Sequence, residues 1–132
     1  MANSATNYTE NLLLSWLLTL SSTTRPTNWY LALFTTATSD STPGTEVSGT
    51  GYSRVPIQFQ VTQTAGTTRA RNVNTIAFTT AGSNWGTITH IGIFDASTGG
   101  NMLFHDAIGV AKQIYSGDTL LIQPQELTVS LE

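Results

Sequence analysis

The chain has 132 residues, which fits one domain over residues 1–132, with a formal net charge of −3 and a pI near 5.1. Charged residues are only 10% of it, and its 5 basic residues form no dense patch, so nucleic-acid binding is not expected because it depends on neutralising many phosphates. With no cysteine, disulfides and thiolate metal sites are excluded.

One helix is predicted from Asn7 to Leu20, within an N-terminal lead-in that covers residues 1–24. Asn7 can cap the helix, and Glu10 stands three residues later at the capping-box position. The polar run at residues 21–24 and Pro26 then end the helix. This apolar stretch is shorter than a bilayer span of about 20 residues and follows no basic segment, so we expect neither a membrane helix nor a signal peptide.

The predicted helix carries an apolar arc wider than one core-facing stripe. At about 100° per residue, Leu14 and Leu18 extend an arc made by five other residues: Leu12, Leu13, Trp16, Leu17 and Leu20. The polar side consists of Tyr8, Asn11, Ser15 and Thr19. Two interpretations stay open: the helix lies between its own sheet and a neighbouring subunit, or it is sunk in the core of one protomer.

From residue 28 onward the pattern changes to short apolar runs of period two, separated by Gly, Ser, Thr, Asn and Asp. Strands are expected at residues 29–36, 55–61, 71–79, 87–95, 101–107, 111–114, 119–122 and 126–131. The first of them is apolar on both faces and should lie centrally. The fold class is therefore mainly β, an antiparallel β-sandwich or jelly-roll-like domain over residues 28–132 with one N-terminal α-helix.

A long polar loop is expected at residues 39–51, with little in its sequence to fold on its own. Long loops in compact domains tend to be functional or mobile. We therefore expect this loop, which contains Glu46, to be an exposed contact element. Shorter turns are expected at residues 63–68 and 81–84.

The two histidines, with neighbouring aspartates, are the most tempting metal-ligand set. Strand alternation points His90 and Asp95 to opposite faces, and His105 and Asp106 also point apart. No spacing signature joins them, so structural or interface roles are favoured over metal binding. We expect no metal site and no cofactor.

No catalytic constellation is visible either. Ser53, in Gly51-Tyr-Ser-Arg-Val55, lacks the Gly-x-Ser-x-Gly pattern of a nucleophile elbow. The acids Asp95 and Asp118 stand where carboxylates stabilise turns. The aromatic residues Trp29, Tyr52 and Trp85 could stack on sugars, but packing roles are favoured. We expect no enzyme activity. The alternative hypothesis, from a different class, is a small hydrolase or lectin domain.

The runs at residues 28–36, 43–52, 85–95 and 116–118, in this order, resemble the small tailed-bacteriophage virion proteins often labelled tail fibre proteins. The turn and strand at residues 98–105 and the closing run at 127–131 belong to the same resemblance. It implies a virion component on the particle surface, made in the host cytoplasm, and no catalytic residues.

The chain is short for a fibre, which normally needs long repeats or a coiled coil. Head decoration, or cement, proteins are small, β-rich and commonly trimeric, so we expect an oligomeric capsid decoration protein, a homotrimer that also binds the major capsid protein or other virion proteins. The expected contacts are Leu14, Leu18, Glu46 and Tyr52. The alternative is a tail fibre, collar or adsorption component that touches host glycans through Trp29, Tyr52 or Trp85.

Overall fold

A computed structural model describes residues 4–131. Within that range the chain forms one helix, α1 (Asn7–Leu18), and ten strands: β1 (Ser4–Ala5), β2 (Tyr30–Phe34), β3 (Val55–Pro56), β4 (Phe59–Thr64), β5 (Thr67–Asn72), β6 (Ile76–Ala77), β7 (Gly86–Phe94), β8 (Met102–Ile114), β9 (Leu121–Ile122) and β10 (Thr128–Ser130). The prediction of a mainly β fold with one N-terminal helix is confirmed.

The strands form three antiparallel sheets. The largest has the order β1-β8-β7-β2-β3, the second β10-β5-β4, and the third pairs β6 with β9. The hairpin of β7 and β8 is the longest pairing, because β8 alone has 13 residues and follows β7 along its whole length. Strand β2 lies between β7 and β3, which confirms its predicted central position.

One face of the five-stranded sheet shares a core with the two smaller sheets. Leu33 of β2 and Ile91 of β7 pack there with Ile76 of β6 and Val129 of β10. The opposite face of β2 and β7 carries a second, smaller cluster made of Ala32, Phe34, Phe94 and Met102. Strand β2 is therefore buried on both faces, as its two-sided apolar pattern requires.

Several expected strand bounds are wrong. The expected strand at 55–61 is interrupted after Pro56 and resumes at Phe59, so it forms two strands. Ile57, between them, is buried in the core, whereas Val61 on β4 is 66% exposed. The expected strand at 71–79 also divides, where the buried Asn72 amide donates to the carbonyl oxygens of Asn74 and Gln123. The two expected strands at 101–107 and 111–114 are one strand, because both halves pair with β7, with an irregular register at residues 108–111 between them.

The helix begins at Asn7, as predicted, and ends two residues before its expected end. Its N-cap is Thr6, not Asn7: Thr6 has extended backbone angles, and its hydroxyl accepts a hydrogen bond from the Thr9 N–H at 3.3 Å. Asn7 is already helical. At the other end Thr19 returns to extended geometry, so the helix ends at Leu18 rather than Leu20.

Candidate interaction surface

The first turn of α1 is fixed firmly to β8. The buried Thr6 hydroxyl donates to the Met102 carbonyl oxygen at 2.6 Å, and the buried Thr9 hydroxyl donates to the Leu103 carbonyl oxygen at 2.7 Å. The backbone N–H of Asn7 adds a bond to the Asp40 carbonyl oxygen at 3.0 Å. These bonds satisfy carbonyl oxygens of β8 and an N–H group of the first helical turn, and they fix the residue at which the helix starts.

Beyond this first turn the helix is only partly covered, with Leu12 and Leu13 half-buried. Thr9 is its only buried residue. Four large apolar side chains further along are more than half exposed: Leu14 at 58%, Trp16 at 60%, Leu17 at 65% and Leu18 at 75%. The interpretation that the helix is sunk in the core of one protomer is therefore wrong. The sheets bury only the first turn of the helix, where Thr9 lies.

The exposed residues divide into faces with different chemistry. At about 100° per residue, Leu14, Leu17 and Leu18 lie within about 100° of one another, with Leu14 and Leu18 on the side away from Thr9, and we call these three the apolar ridge. The polar residues Asn11 and Ser15 come next to the ridge, on its Leu18 side. Residues 11–24 contain no charged side chain. The ridge is thus a continuous, uncharged apolar surface of the kind that marks an interaction site.

The expected contact residues Glu46 and Tyr52 lie in a network around Arg54. The Arg54 guanidinium holds the Glu46 carboxylate with two bonds, Nε–Oε2 at 2.8 Å and Nη2–Oε1 at 2.9 Å. The Tyr52 hydroxyl donates to Glu46 Oε2 at 2.6 Å and accepts the N–H of Leu33 at 3.1 Å. The Arg54 side chain is only 7% exposed, so the ion pair is largely withdrawn from solvent.

The network shifts the titration of both acidic groups. Burial by itself raises the pKa of Glu46, but the hydrogen bonds from Arg54 and Tyr52 and the charge of Arg54 outweigh it, so the pKa of Glu46 is lowered. Burial, followed by the hydrogen bond to the Glu46 carboxylate, raises the pKa of Tyr52 far above its ordinary value. At neutral pH the carboxylate is therefore ionised and the phenol is neutral.

Arg54 also ties its loop to the turn between β7 and β8. Its Nη1 donates to the carbonyl oxygens of Ala96 and Gly99 at 2.9 and 2.8 Å, and its guanidinium carbon lies 3.7 Å from the centre of the Phe94 ring. The polar segment at residues 39–51, which was expected to have little structure, is therefore fixed to this turn through the bonds between Glu46 and Arg54. Glu46 and Tyr52 are used inside the protomer, and their role toward a partner stays a prediction.

The same segment is held at its middle. The side chain of Val47 is 5% exposed and belongs to the main core, and its N–H donates to the Leu33 carbonyl oxygen at 3.0 Å. Glu46 forms an antiparallel bridge with Phe34. The segment therefore folds against β2 instead of standing free.

The structure does not bring the histidines and their neighbouring aspartates together. The buried His105 bonds to Asp40 Oδ1 through Nε2 and to Thr38 Oγ1 through Nδ1, both at 2.8 Å. His90 bonds to Thr89. Asp95 accepts the Asn101 N–H inside its own turn. Among residues 4–131 no three histidine, cysteine or acidic side chains are grouped so that they could hold a metal ion.

The aromatic residues act mainly in packing. Trp85 is 5% exposed, packs edge-on against Tyr52 at 5.5 Å between ring centres, and donates from Nε1 to the Thr50 carbonyl oxygen at 3.0 Å. A sugar ring could not reach its face. Trp29 is half-buried beside Phe59 and contacts the main core. The predicted packing role of Trp85 is confirmed.

Two residues that organise this surface were missed in the sequence. Thr6 carries a signal that could have found it, because threonine is a favoured N-cap residue and Thr6 comes directly before the predicted helix. Arg54 carries none. Its partners lie at residues 46, 94, 96 and 99, and only the folded chain brings them around one guanidinium.

Comparison with models of known protein families gives a match. A family model described as Gp80, Podophage GP4 fiber I protein gp80, matches residues 4–130, which is nearly the whole chain. A search of curated proteins finds no match. In the part of the chain that the structure describes, no helix is long and apolar enough to cross a membrane.

Proposed function

The chain belongs to the family of podophage GP4 fiber I proteins, and on that premise we propose that it is a non-enzymatic structural protein of the phage particle that works as an oligomer. The observation that carries the proposal is the apolar ridge on α1. A protomer that leaves Leu14, Leu17 and Leu18 in water keeps an apolar surface that another subunit can cover.

The exposed apolar area on the helix can be compared with the area of a typical subunit interface. Each of the four large apolar side chains presents on the order of 100 Å² to solvent, so the helix alone supplies several hundred Å². A standard interface buries about 800 Å² per partner. The helix would therefore supply a substantial part of a stable subunit contact.

The ridge is tested by a Leu14→Glu, Leu18→Glu double variant, whose molar mass in solution is measured by light scattering. We expect a monomer, because two carboxylates would have to be buried without partners in the subunit contact. The matched control is Gln60→Glu, Thr62→Glu, which adds the same charge at two exposed positions of β4. It should keep the wild-type mass. An unchanged mass for the ridge variant would refute the contact.

Within the particle we place the protein on a tail fibre, because the family name describes a fiber protein. The second candidate is capsid decoration, as a trimer that clamps the major capsid protein or other virion proteins. It is favoured by the short helix and the lack of repeats, because a fibre normally needs long repeats or a coiled coil. The described residues contain one helix, of 12 residues, and the sequence has no long repeat.

The two locations are separated by electron microscopy of intact particles labelled with an antibody against this protein. Label on the tail supports the fibre placement, and label distributed over the head supports decoration. Particles that carry no label would contradict both placements, provided that the antibody binds the purified protein.

A further inference from the structure

An apolar cleft of about 300 Å³ opens beside β8 and β9. Core residues, among them Leu33 and Ile88, form part of its lining, and Ile108 and Leu121 stand at more exposed positions around it. Leu121 is 51% exposed. The cleft is thus a second apolar surface that the protomer leaves open.

Among residues 4–131, the neighbouring edge of the large sheet has little cover. In that range β1 pairs with β8 at Phe104 and His105. Further along β8, residues 106, 107, 112 and 113 pair with β7, with an irregular register between 107 and 112, and no described residue pairs on the outer side. No strand of residues 4–131 therefore covers the approach to the cleft from this edge.

We propose that the cleft receives helix α1 of a second copy of this chain, with the apolar ridge inside the cleft and the carboxyl end of the helix toward Lys112. This inference rests on the proposed self-association and names the surface that meets the ridge. The same chain carries both surfaces, so each copy can give its helix to one neighbour and accept the helix of another.

Charge complementarity favours this occupant and its direction. The carboxyl end of a helix carries a partial negative charge, and α1 has no basic residue in its last turn. The cleft is lined by one acidic residue, Glu126, and one basic residue, Lys112. In the described residues the Lys112 side chain makes no ion pair or hydrogen bond, so it is free to meet the end of a helix. An incoming helix that is uncharged from residue 11 onward brings no like charge against it.

Burial favours the same arrangement. If helices paired only with one another, the ridge would be covered but the cleft would stay open to water. Placing the helix of one copy in the cleft of the next covers both apolar surfaces in a single contact. Such a head-to-tail contact closes into a ring when its rotation allows it, which is compatible with the trimer expected from the sequence.

The contact is tested by cysteine cross-linking, since the chain has no cysteine of its own. Leu18→Cys and Leu121→Cys proteins are prepared separately, checked for the wild-type mass, mixed to allow subunit exchange, and oxidised mildly. We expect a disulfide-linked dimer in the mixture and none in either protein alone. A dimer in Leu18→Cys alone would show helix-to-helix packing and overturn the cleft contact, while the proposed self-association would stand.

A second variant keeps the test decisive if the cysteines lie too far apart to react. Lys112→Glu should weaken self-association at least fivefold in sedimentation equilibrium, because it places a negative charge at the carboxyl end of the helix. Arg69→Glu, an equal change at an exposed position on β5, should leave the affinity unchanged. Equal affinities for the Lys112→Glu and wild-type proteins, with no cross-link in the mixture, would overturn the inference. A wild-type protein that is monomeric would instead refute the proposed self-association itself.

Discussion

Arg54 does more than any other single residue to hold the long polar segment in place. Its guanidinium binds one carboxylate, two turn carbonyls and one aromatic face, and it is almost fully enclosed. A buried charge of this kind is stable only while its partner stays ionised. The stability of the whole segment should therefore depend on the charge of Glu46.

A Glu46→Gln variant tests this dependence. At pH 7 it should lower the free energy of unfolding by about 3 kcal/mol, because Arg54 keeps its charge without its counterion. The pKa of Glu46 is lowered in the folded state, so its contribution is complete above the unfolded value of about 4.3 and is lost as the pH falls through the folded pKa. Urea unfolding at pH 7 and pH 3 should show the difference between wild type and variant shrinking at the lower pH. A difference that is the same at both pH values would contradict this account.

The hairpin of β7 and β8 is the element on which the rest of the structure is assembled. It carries the central pairing to β2, the pairing to β1 that leads into the helix, and one wall of the apolar cleft. Two of the three glycines in its strands, Gly92 and Gly109, have opposite surroundings. A Cβ on Gly92 would lie 2.9 Å from Met102 Sδ and 2.9 Å from Phe34 Cε2, whereas a Cβ on Gly109 would have no atom within 4 Å.

Alanine at these two positions should therefore have different effects. Gly92→Ala should lower the free energy of unfolding by about 1–3 kcal/mol, since the small cluster behind the sheet must move to admit a methyl group. Gly109→Ala, the control on the same hairpin, should change it by less than about 0.5 kcal/mol. Chemical denaturation at equal protein concentration measures both. Equal losses would mean that the close packing around Gly92 does not limit the fold.

At the scale of the whole molecule, the protomer is well packed in its body and poorly covered at its helix. Three sheets share one core, yet the ridge on α1 and the cleft beside β8 both face water. If another copy covers them, assembly adds to the stability of the folded state by mass action.

The melting temperature should then depend on protein concentration. A hundredfold increase in concentration should raise Tm by about 3 to 6 °C, since association favours only the folded chain. The Leu14→Glu, Leu18→Glu variant should melt at the same temperature at every concentration. Differential scanning calorimetry of both proteins over this range makes the comparison, and a wild-type Tm that does not move would argue against assembly through these surfaces.

The sequence by itself determined the kinds of element and their order. Period-two alternation identified most strands, and a capping position with a leucine-rich arc identified the helix, because both signals come from residues close together in the chain. The set of short motifs was also enough to identify the phage virion family, which the family match over residues 4–130 confirms. The single-domain extent over residues 1–132 stays a prediction.

Only the tertiary structure decided how these elements meet. The leucine pattern of α1 is the same for a buried helix and for an exposed one. Whether these leucines are buried depends on how far the sheet extends beneath the helix. The partners of Arg54 are separated from it by up to 45 residues, and the cleft is lined by residues from Leu33 to Leu127. Contacts over such separations depend on the register and packing of the whole chain, which no local pattern of residues encodes.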